Sequence, residues 1–306
     1  MIKNILLTGG TGFLGSHILK SLLNLNYNVI VLVRNSSDLY RIENLRQKIQ
    51  LFYLNENHKN LGDLFLNNLI DTIIHTATEY GRGCSLSSIL ETNLIFPIKL
   101  IEEGIKKDLK LFINTDTFFG KPVYKESSYL NEYTISKKYF LDYLSDPKRN
   151  LKIVNMRLEH IFGENDSDNK FVTSILIQLI QNKQEVLLTD GLQKRDFIYI
   201  DDVVNAYLKV LESNEHLENF TEFEVGRGES IKVRYFVQTL SEIIHSKSEL
   251  KFGAIGTREG EIQDSVAKLS KLKEIGWEFK YDIKQAIQRM VEFEVEKRSI
   301  SNKNPD

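Results

Sequence analysis

Short apolar runs alternate with stretches in which leucine and isoleucine recur every three or four residues, from the N-terminus to about residue 160. The runs fall at 3–8, 28–33, 49–54, 72–76, 109–115 and 151–158. Val29-Ile30-Val31-Leu32-Val33 has no polar interruption, as expected of a parallel strand buried on both faces. Between the first two runs, 13–25 places Leu14, Ile18, Leu22 and Leu25 on one helical face, and 86–106 carries Ile89, Leu90, Ile95, Ile98 and Ile101. Strands alternating with amphipathic helices predict βαβ units and a doubly wound parallel α/β sheet. After residue 160 the alternation loosens. Strand segments at 185–188 and 223–225 lie among helices predicted near 171–181, 203–211, 233–245 and 283–295. The expected organisation is a sheet domain over 1–165, a smaller mixed α/β substrate domain over 166–296 whose chain can re-enter the first, and a frayed polar tail over 297–306.

The first run leads straight into Thr8-Gly9-Gly10-Thr11-Gly12-Phe13-Leu14-Gly15, a GxxGxxG spacing between a strand and a helix. Gly9 permits a tight turn, Gly12 lets the backbone approach a pyrophosphate, and Gly15 lets the helix pack closely, so that its N-terminus faces the phosphates. This predicts a Rossmann-type dinucleotide site on Thr8, Gly9, Gly12, Phe13, Leu14 and Gly15. At the end of the second run the chain reads Arg34-Asn35-Ser36-Ser37, with no acid before Asp38. A carboxylate there would bind the ribose 2′-hydroxyl of NAD, whereas a cation suits the 2′-phosphate of NADP. Arg34, with Asn35 and Ser36 beside it, therefore favours NADPH/NADP over NAD, although a solvated arginine at a strand end reads the same way.

Composition adds mainly exclusions. The 306 residues, 42% hydrophobic and 27% charged, are ordinary for a globular chain with room for one large or two fused domains. A net charge of -2 gives no basic footprint for nucleic acid and no polybasic patch for a membrane. No stretch approaches the roughly 18 apolar residues a bilayer span needs, and the first apolar run is broken too early for a secretory signal. The lone Cys84 leaves no internal disulfide and no cysteine metal site, and the six histidines show no ligand spacing. A cytoplasmic location, without a metal, is expected.

Tyr133-Thr134-Ile135-Ser136-Lys137 puts a tyrosine and a lysine one helical turn apart on the same face. A nearby ammonium would lower the phenol from its usual pKa of about 10, letting it pass a proton to or from a carbinol. The pair follows the fifth run, whose Asn114-Thr115-Asp116-Thr117 brings a hydroxyl to the carboxyl edge of the sheet, where such folds bind ligands. A surface tyrosine beside a solvated lysine would give the same letters.

These motifs, in this order over nearly the whole chain, resemble the extended short-chain dehydrogenase/reductase family. Further likeness lies in His75-Thr76-Ala77-Thr78, in Asn93 of Glu91-Thr92-Asn93-Leu94, in 157–163, in 194–203, in Arg258-Glu259-Gly260-Glu261 and in Gly276-Trp277. The resemblance implies a catalytic set of Thr115, Tyr133 and Lys137, with Thr76, Ala77, Thr78, Asn93 and His160 added to the cofactor site. It implies substrate contacts from Glu79, Tyr80, Arg82, Asp116, Thr117, His160, Lys170 and Phe171. It also implies that Arg195 and Arg258 hold a nucleotide-sugar diphosphate, with an ion pair to Asp196 or Glu261 the plainer reading of either arginine. Thr117 stands where 4,6-dehydratases of the family carry a glutamate base, which argues against dehydration. The segments 75–82, 112–119 and 155–160 resemble the CDP-abequose and CDP-paratose synthase branch. That branch implies NADPH-dependent reduction of a 4-keto group on a CDP-linked 6-deoxy or 3,6-dideoxyhexose, for surface polysaccharide. An NAD-dependent 4-epimerase and a non-catalytic NADP(H)-sensing protein remain the alternatives. The resemblance further implies a homodimer through helices near 86–106 and 132–144. Two departures, a short interval from Thr115 to Tyr133 and His160 in place of a sugar-binding asparagine, leave the nucleotide base, the hexose and the stereochemistry open.

Overall fold

The computed structural model describes residues 3–81, 83–124 and 130–301. Its first half builds β1 (Asn4–Thr8), α1 (Phe13–Asn24), β2 (Asn28–Arg34), β3 (Gln50–Leu54), α2 (Leu61–Asn67) and β4 (Thr72–His75). There follow α3 (Leu86–Leu90) and α4 (Phe96–Ile105), joined by a π-helical turn over Glu91–Ile95, then β5 (Leu111–Thr117), α5 (Asn131–Leu144) and β6 (Lys152–Leu158). The π turn has a local cause. Pro97, four residues after Asn93, has no N–H to return to the Asn93 carbonyl, so the regular ladder breaks there.

The second half comprises β7 (His160–Phe162), α6 (Phe171–Ile180), β8 (Glu185–Leu188), β9 (Lys194–Arg195), β10 (Phe197–Tyr199) and α7 (Ile200–Ser213). It closes with β11 (Phe220–Val225), β12 (Ile231–Lys232), α8 (Val233–Ile244), β13 (Glu249–Phe252), α9 (Ser270–Glu274) and α10 (Ile283–Ser301). The central sheet has seven strands in the order β11-β6-β5-β4-β1-β2-β3, all parallel. The order reverses beside β1, which makes the crevice between the carboxyl ends of β1 and β4 the topological switch point where ligands bind. The chain thus returns to the main sheet at β11. The pairs β7–β10, β8–β13 and β9–β12 form the smaller layer.

Each sheet face carries its own core. Ile5, Leu7, Val29, Val31 and Ile113 pack with α1, α7, α8 and α10 on one side. Leu6, Ile30, Ile73 and Phe112 pack with α2, α4 and Phe140 of α5 on the other. Alternate residues of buried parallel strands serve both cores, which is why these strands read as unbroken apolar runs.

Two expectations need correction. β5 runs two residues further than 115, to Thr117, and this extension places Thr117 at the site. The chain after Glu296 does not fray at once. α10 continues to Ser301 because Lys297 donates to the Asn165 side chain at 2.9 Å and Arg298 pairs with Asp168 at 2.9 Å and Glu294 at 3.3 Å.

Candidate active site

The glycine loop is shaped by what cannot fit in it. Gly9 has φ +68°, and a Cβ there would lie 2.6 Å from the Ala77 nitrogen. A Cβ on Gly15 would lie 2.1 Å from the Gly9 carbonyl oxygen, so only glycine lets α1 start against the loop. The Gly12 N–H donates to the Gly9 carbonyl at 2.9 Å. No side chain caps α1 and its first turn holds no acid, which leaves backbone N–H groups facing the crevice with the positive end of the helix behind them. A pyrophosphate fits this arrangement. Phe13 and Leu14 are half-buried in the first turn.

Thr8 does not face the crevice. It is buried, and its hydroxyl pairs with His75 Nδ1 at 2.8 Å and accepts from the Ala77 N–H at 3.3 Å. Thr76 donates to the Thr8 carbonyl at 2.8 Å, so Thr8, His75, Thr76 and Ala77 bind the ends of β1 and β4 to each other. Asn93 is likewise spent internally. Its Oδ1 accepts from the Glu79 N–H at 2.8 Å and from the Thr78 hydroxyl at 3.3 Å, and its Nδ2 donates to the Glu79 carbonyl at 2.8 Å and to Ser136 Oγ at 3.0 Å. It ties segment 78–79 to α5. At the end of β2, Arg34, Asn35 and Ser36 are exposed, while Asp38 turns its carboxylate to the Tyr40 N–H at 3.0 Å.

Tyr133 and Lys137 share the buried face of α5. The Lys137 ammonium donates to the Thr115 carbonyl at 2.9 Å, and burial pulls its pKa from 10.5 to about 8 against the support of Asp116. The expected lowering of the phenol does not follow. Burial first, then the neighbouring Tyr80 and Asp116, hold the Tyr133 hydroxyl well above the usual tyrosine range. The hydroxyls of Thr117 and Thr78 are its hydrogen-bonding neighbours and pull the other way. Thr115, expected to supply that hydroxyl, instead pairs at 2.7 Å with Tyr207 of α7.

Asp116 is buried and fully engaged: Oδ1 accepts from the Thr117 N–H at 2.8 Å, and Oδ2 from Asn155 at 2.9 Å and Arg157 at 3.4 Å. It is not free to reach a sugar. Tyr80 lies over Tyr133 with ring centroids 5.1 Å apart, and Lys170 lies 3.8 Å above the Tyr80 ring, so these two residues cover the phenol. Phe171 is exposed beside Lys170. The Glu79 carboxylate accepts from the Gly81 N–H at 3.3 Å within its own loop. Arg82 lies outside the described residues.

His160 packs on Phe118 with ring centroids 4.5 Å apart, and its Nδ1 is buried without a hydrogen bond. Burial and the Arg195 guanidinium push its pKa down to about 3, so it stays neutral. Arg195 is buried, donating to the carbonyls of Lys194 and Ile262 and to Glu261 at 2.8 Å, which is the ion pair that the plainer reading anticipated. Asp196 is no partner of Arg195, since its carboxylate accepts the N–H groups of Arg227, Gly228 and Ala267. Arg258 is exposed in the loop that also carries Glu261.

Several residues escaped the sequence reading. Arg41 clamps the glycine loop to segment 165–167 by donating to the carbonyls of Asn165 at 2.9 Å and Thr11 at 3.4 Å and to Ser167 at 3.3 Å. Lys121 bridges Glu159 at 2.6 Å and Glu224 at 2.8 Å. Neither stands in a recognisable motif, and Tyr207 reads as one more apolar position of α7. Among the described residues His17, Glu164 and Asp201 gather ligand-type atoms within 4.8 Å of one another, though His17 bonds the Glu164 carbonyl, Glu164 accepts from Tyr199 and Asp201 pairs with Arg289. No described helix is long and apolar enough to cross a membrane.

A doubly wound sheet with a glycine-lined phosphate cradle and a buried tyrosine–lysine pair at its carboxyl edge defines a dinucleotide-dependent enzyme of the short-chain dehydrogenase type. Residues 5–226 match the model of the NAD dependent epimerase/dehydratase family, and the chain belongs to that family. It is 34% identical over 300 residues to a CDP-abequose synthase of Salmonella typhimurium, covering 94% of this chain and 97% of that protein. The fold is similar to that of a UDP-glucose 4-epimerase of Thermotoga maritima solved with UDP-glucose (TM-score 0.85, 25% identity, 96% of this chain and 99% of that one). It is also similar to a UDP-glucose 4-epimerase of Thermus thermophilus in complex with NAD (TM-score 0.79, 23% identity, 94% and 98%).

Proposed function

We propose that this protein is an NADPH-dependent reductase of the 4-keto group of a CDP-linked 6-deoxy or 3,6-dideoxyhexose. The observation that carries the reading is the tyrosine–lysine pair on the buried face of α5, with the Lys137 ammonium held by the Thr115 carbonyl at 2.9 Å and the Thr117 hydroxyl beside the phenol. A bound dinucleotide supplies the hydride. Tyr133 gives its proton to the keto oxygen, and Thr117, whose hydroxyl neighbours the phenol, hydrogen-bonds the same oxygen. Thr115 acts through its carbonyl, which holds the Lys137 ammonium. Tyr80 and Lys170 lie over the phenol and shield it from water.

The CDP assignment rests on the 34% identity to the CDP-abequose synthase. The preference for NADPH rests on exposed Arg34 and on Asp38 being committed to its own turn. Arg195 and Arg258 bind the diphosphate, with Arg195 exchanging Glu261 for phosphate oxygens. The pair of chains expected in solution meets on α3–α5, where Leu86, Ile95, Ile135 and Tyr139 are exposed. A second reading, an NAD-dependent 4-epimerase, draws on the similarity to the Thermotoga epimerase. Replacing Tyr133 by Phe tests the first reading. Consumption of NADPH with a CDP-4-keto-6-deoxyhexose should fall by about 100-fold or more, the size of a lost general acid, with NADPH affinity nearly unchanged. An equal rate in the variant would remove Tyr133 from the mechanism.

A further inference from the structure

We propose that Glu222, on the edge strand β11, is a positioning residue that acts on Lys137 through Arg157 and Asp116. The inference rests on the reading of Lys137 as part of the reacting site, and it turns on Glu222, which no motif singled out.

The geometry is an alternating row of charges laid across three adjacent strands. Glu222 on β11 holds Arg157 of β6 in a forked pair, with both contacts at 2.8 Å. Arg157 Nε reaches Asp116 of β5 at 3.4 Å. Asn155 fills the space between them, donating to Asp116 at 2.9 Å and to Glu222 at 2.9 Å while accepting from Asn114 at 2.7 Å. Parallel registry makes this row possible, because Asp116 stands opposite Arg157 and Asn155 opposite Glu222. Asp116 directly follows Thr115, whose carbonyl accepts the Lys137 ammonium at 2.9 Å, and its carboxylate favours the charged lysine.

The row is buried at one end and wet at the other. The side chains of Asp116 and Arg157 are 3% and 6% exposed, whereas Glu222 is 28% exposed. A carboxylate on β5 beside an unanswered Arg157 would be largely neutralised by it and would do little for Lys137. Glu222 answers Arg157 from the far side and leaves the Asp116 charge acting on the lysine. The forked geometry also fixes the guanidinium plane, and with it the Nε–H that points at Asp116.

Other groups face this row. His75 of β4 lies near Lys137 but is buried and held well below its usual pKa, so it stays neutral over the range in question. Tyr133 and Tyr207 both lie near Asp116 and are held above the ordinary tyrosine range, so neither adds charge near pH 8. Among these neighbours Asp116 is the charged group that acts on Lys137.

The sign follows. Loss of the Glu222 charge leaves Arg157 less balanced, makes the field at Lys137 more positive and favours the neutral amine, so the lysine titrates at lower pH. The experiment is an NMR titration of lysine-labelled, ligand-free protein, following the Lys137 13Cε resonance assigned by its absence in Lys137→Met. Glu222→Gln should lower the midpoint by roughly 0.3–0.8 of a pH unit and Asp116→Asn by about one or more, as expected for losing a remote and an adjacent opposite charge. Glu222→Asp keeps the charge and should stay within about 0.2 of the wild type, whereas a role in packing alone would make Asp the worse replacement. Glu43→Gln, at an exposed pair with Arg46, should not move it. An unmoved midpoint in Glu222→Gln, or one moved equally by Glu222→Asp, overturns the proposal. The alkaline limb of turnover should move with the midpoint. Absence of turnover in the wild type would sink the reductase reading and leave the titration result standing.

Discussion

At the residue scale the site is held at a cost to stability. Lys137 titrates near 8 in the folded chain instead of 10.5. Between those values the unfolded chain keeps a proton that the folded chain has lost, so stability linked to this group rises with pH across that window and is lowest below about 8. Lys137→Met should therefore melt higher than the wild type at pH 7, by roughly 1–3 kcal/mol, and the advantage should shrink as pH climbs toward 10. Calorimetry across that range checks it, and a constant difference would contradict it. Activity runs the other way, since the ammonium is lost as pH rises through about 8 and turnover should decline on that side. Arg34 gives a second prediction: Arg34→Ala should raise the KM for NADPH roughly tenfold, the effect of one lost charge-assisted hydrogen bond, with the KM for NADH unmoved. Equal changes for both would refute the assignment of Arg34 to the 2′-phosphate.

The residue types and spacing of Gly9, Gly12, Gly15, Tyr133 and Lys137 were legible in the sequence because each is fixed by local geometry. Their partners were not. Which of Thr115 and Thr117 meets the phenol depends on how α7 packs, because Tyr207 claims Thr115 from a position 92 residues away. The direction of the Tyr133 shift was also out of reach, since it is set by burial and by Tyr80 lying on the ring.

At the scale of elements, the apolar runs located the first six strands well because parallel strands are buried on both faces. The strand at 223–225 was legible too, but not its place beside β6, which is a tertiary choice. The π turn over Glu91–Ile95 shows the same limit, although Pro97 was in plain view. Asn93 in that turn makes four hydrogen bonds while fully buried. Asn93→Leu should cost about 2–4 kcal/mol by leaving the Glu79 backbone unpaired, and should loosen segment 78–80 over Tyr133. A melting temperature within a degree of the wild type would show that the clamp is dispensable. In the glycine loop, Gly15→Ala should abolish dinucleotide binding with the fold retained, as read by fluorescence titration and circular dichroism. Normal binding would contradict the close approach of α1 to Gly9.

At the scale of the whole molecule, the sheet delivers each group to one edge. β1 leads into the glycine loop, and β5 carries the Thr117 hydroxyl and the Thr115 carbonyl that holds the lysine. Assembly belongs to this scale as well. Tyr139→Glu on α5 should convert a dimer to monomers in light scattering, and an unchanged mass would place the contact elsewhere. The central claim is tested most directly by following reduced-nicotinamide absorbance with purified protein and 4-keto-6-deoxyhexoses linked to CDP, dTDP, GDP or UDP. Loss of absorbance with the CDP sugar, faster with NADPH than with NADH and absent in Tyr133→Phe, is the result the account predicts. No loss with any of the four, together with NAD retained by the purified protein, would contradict it and point to an epimerase.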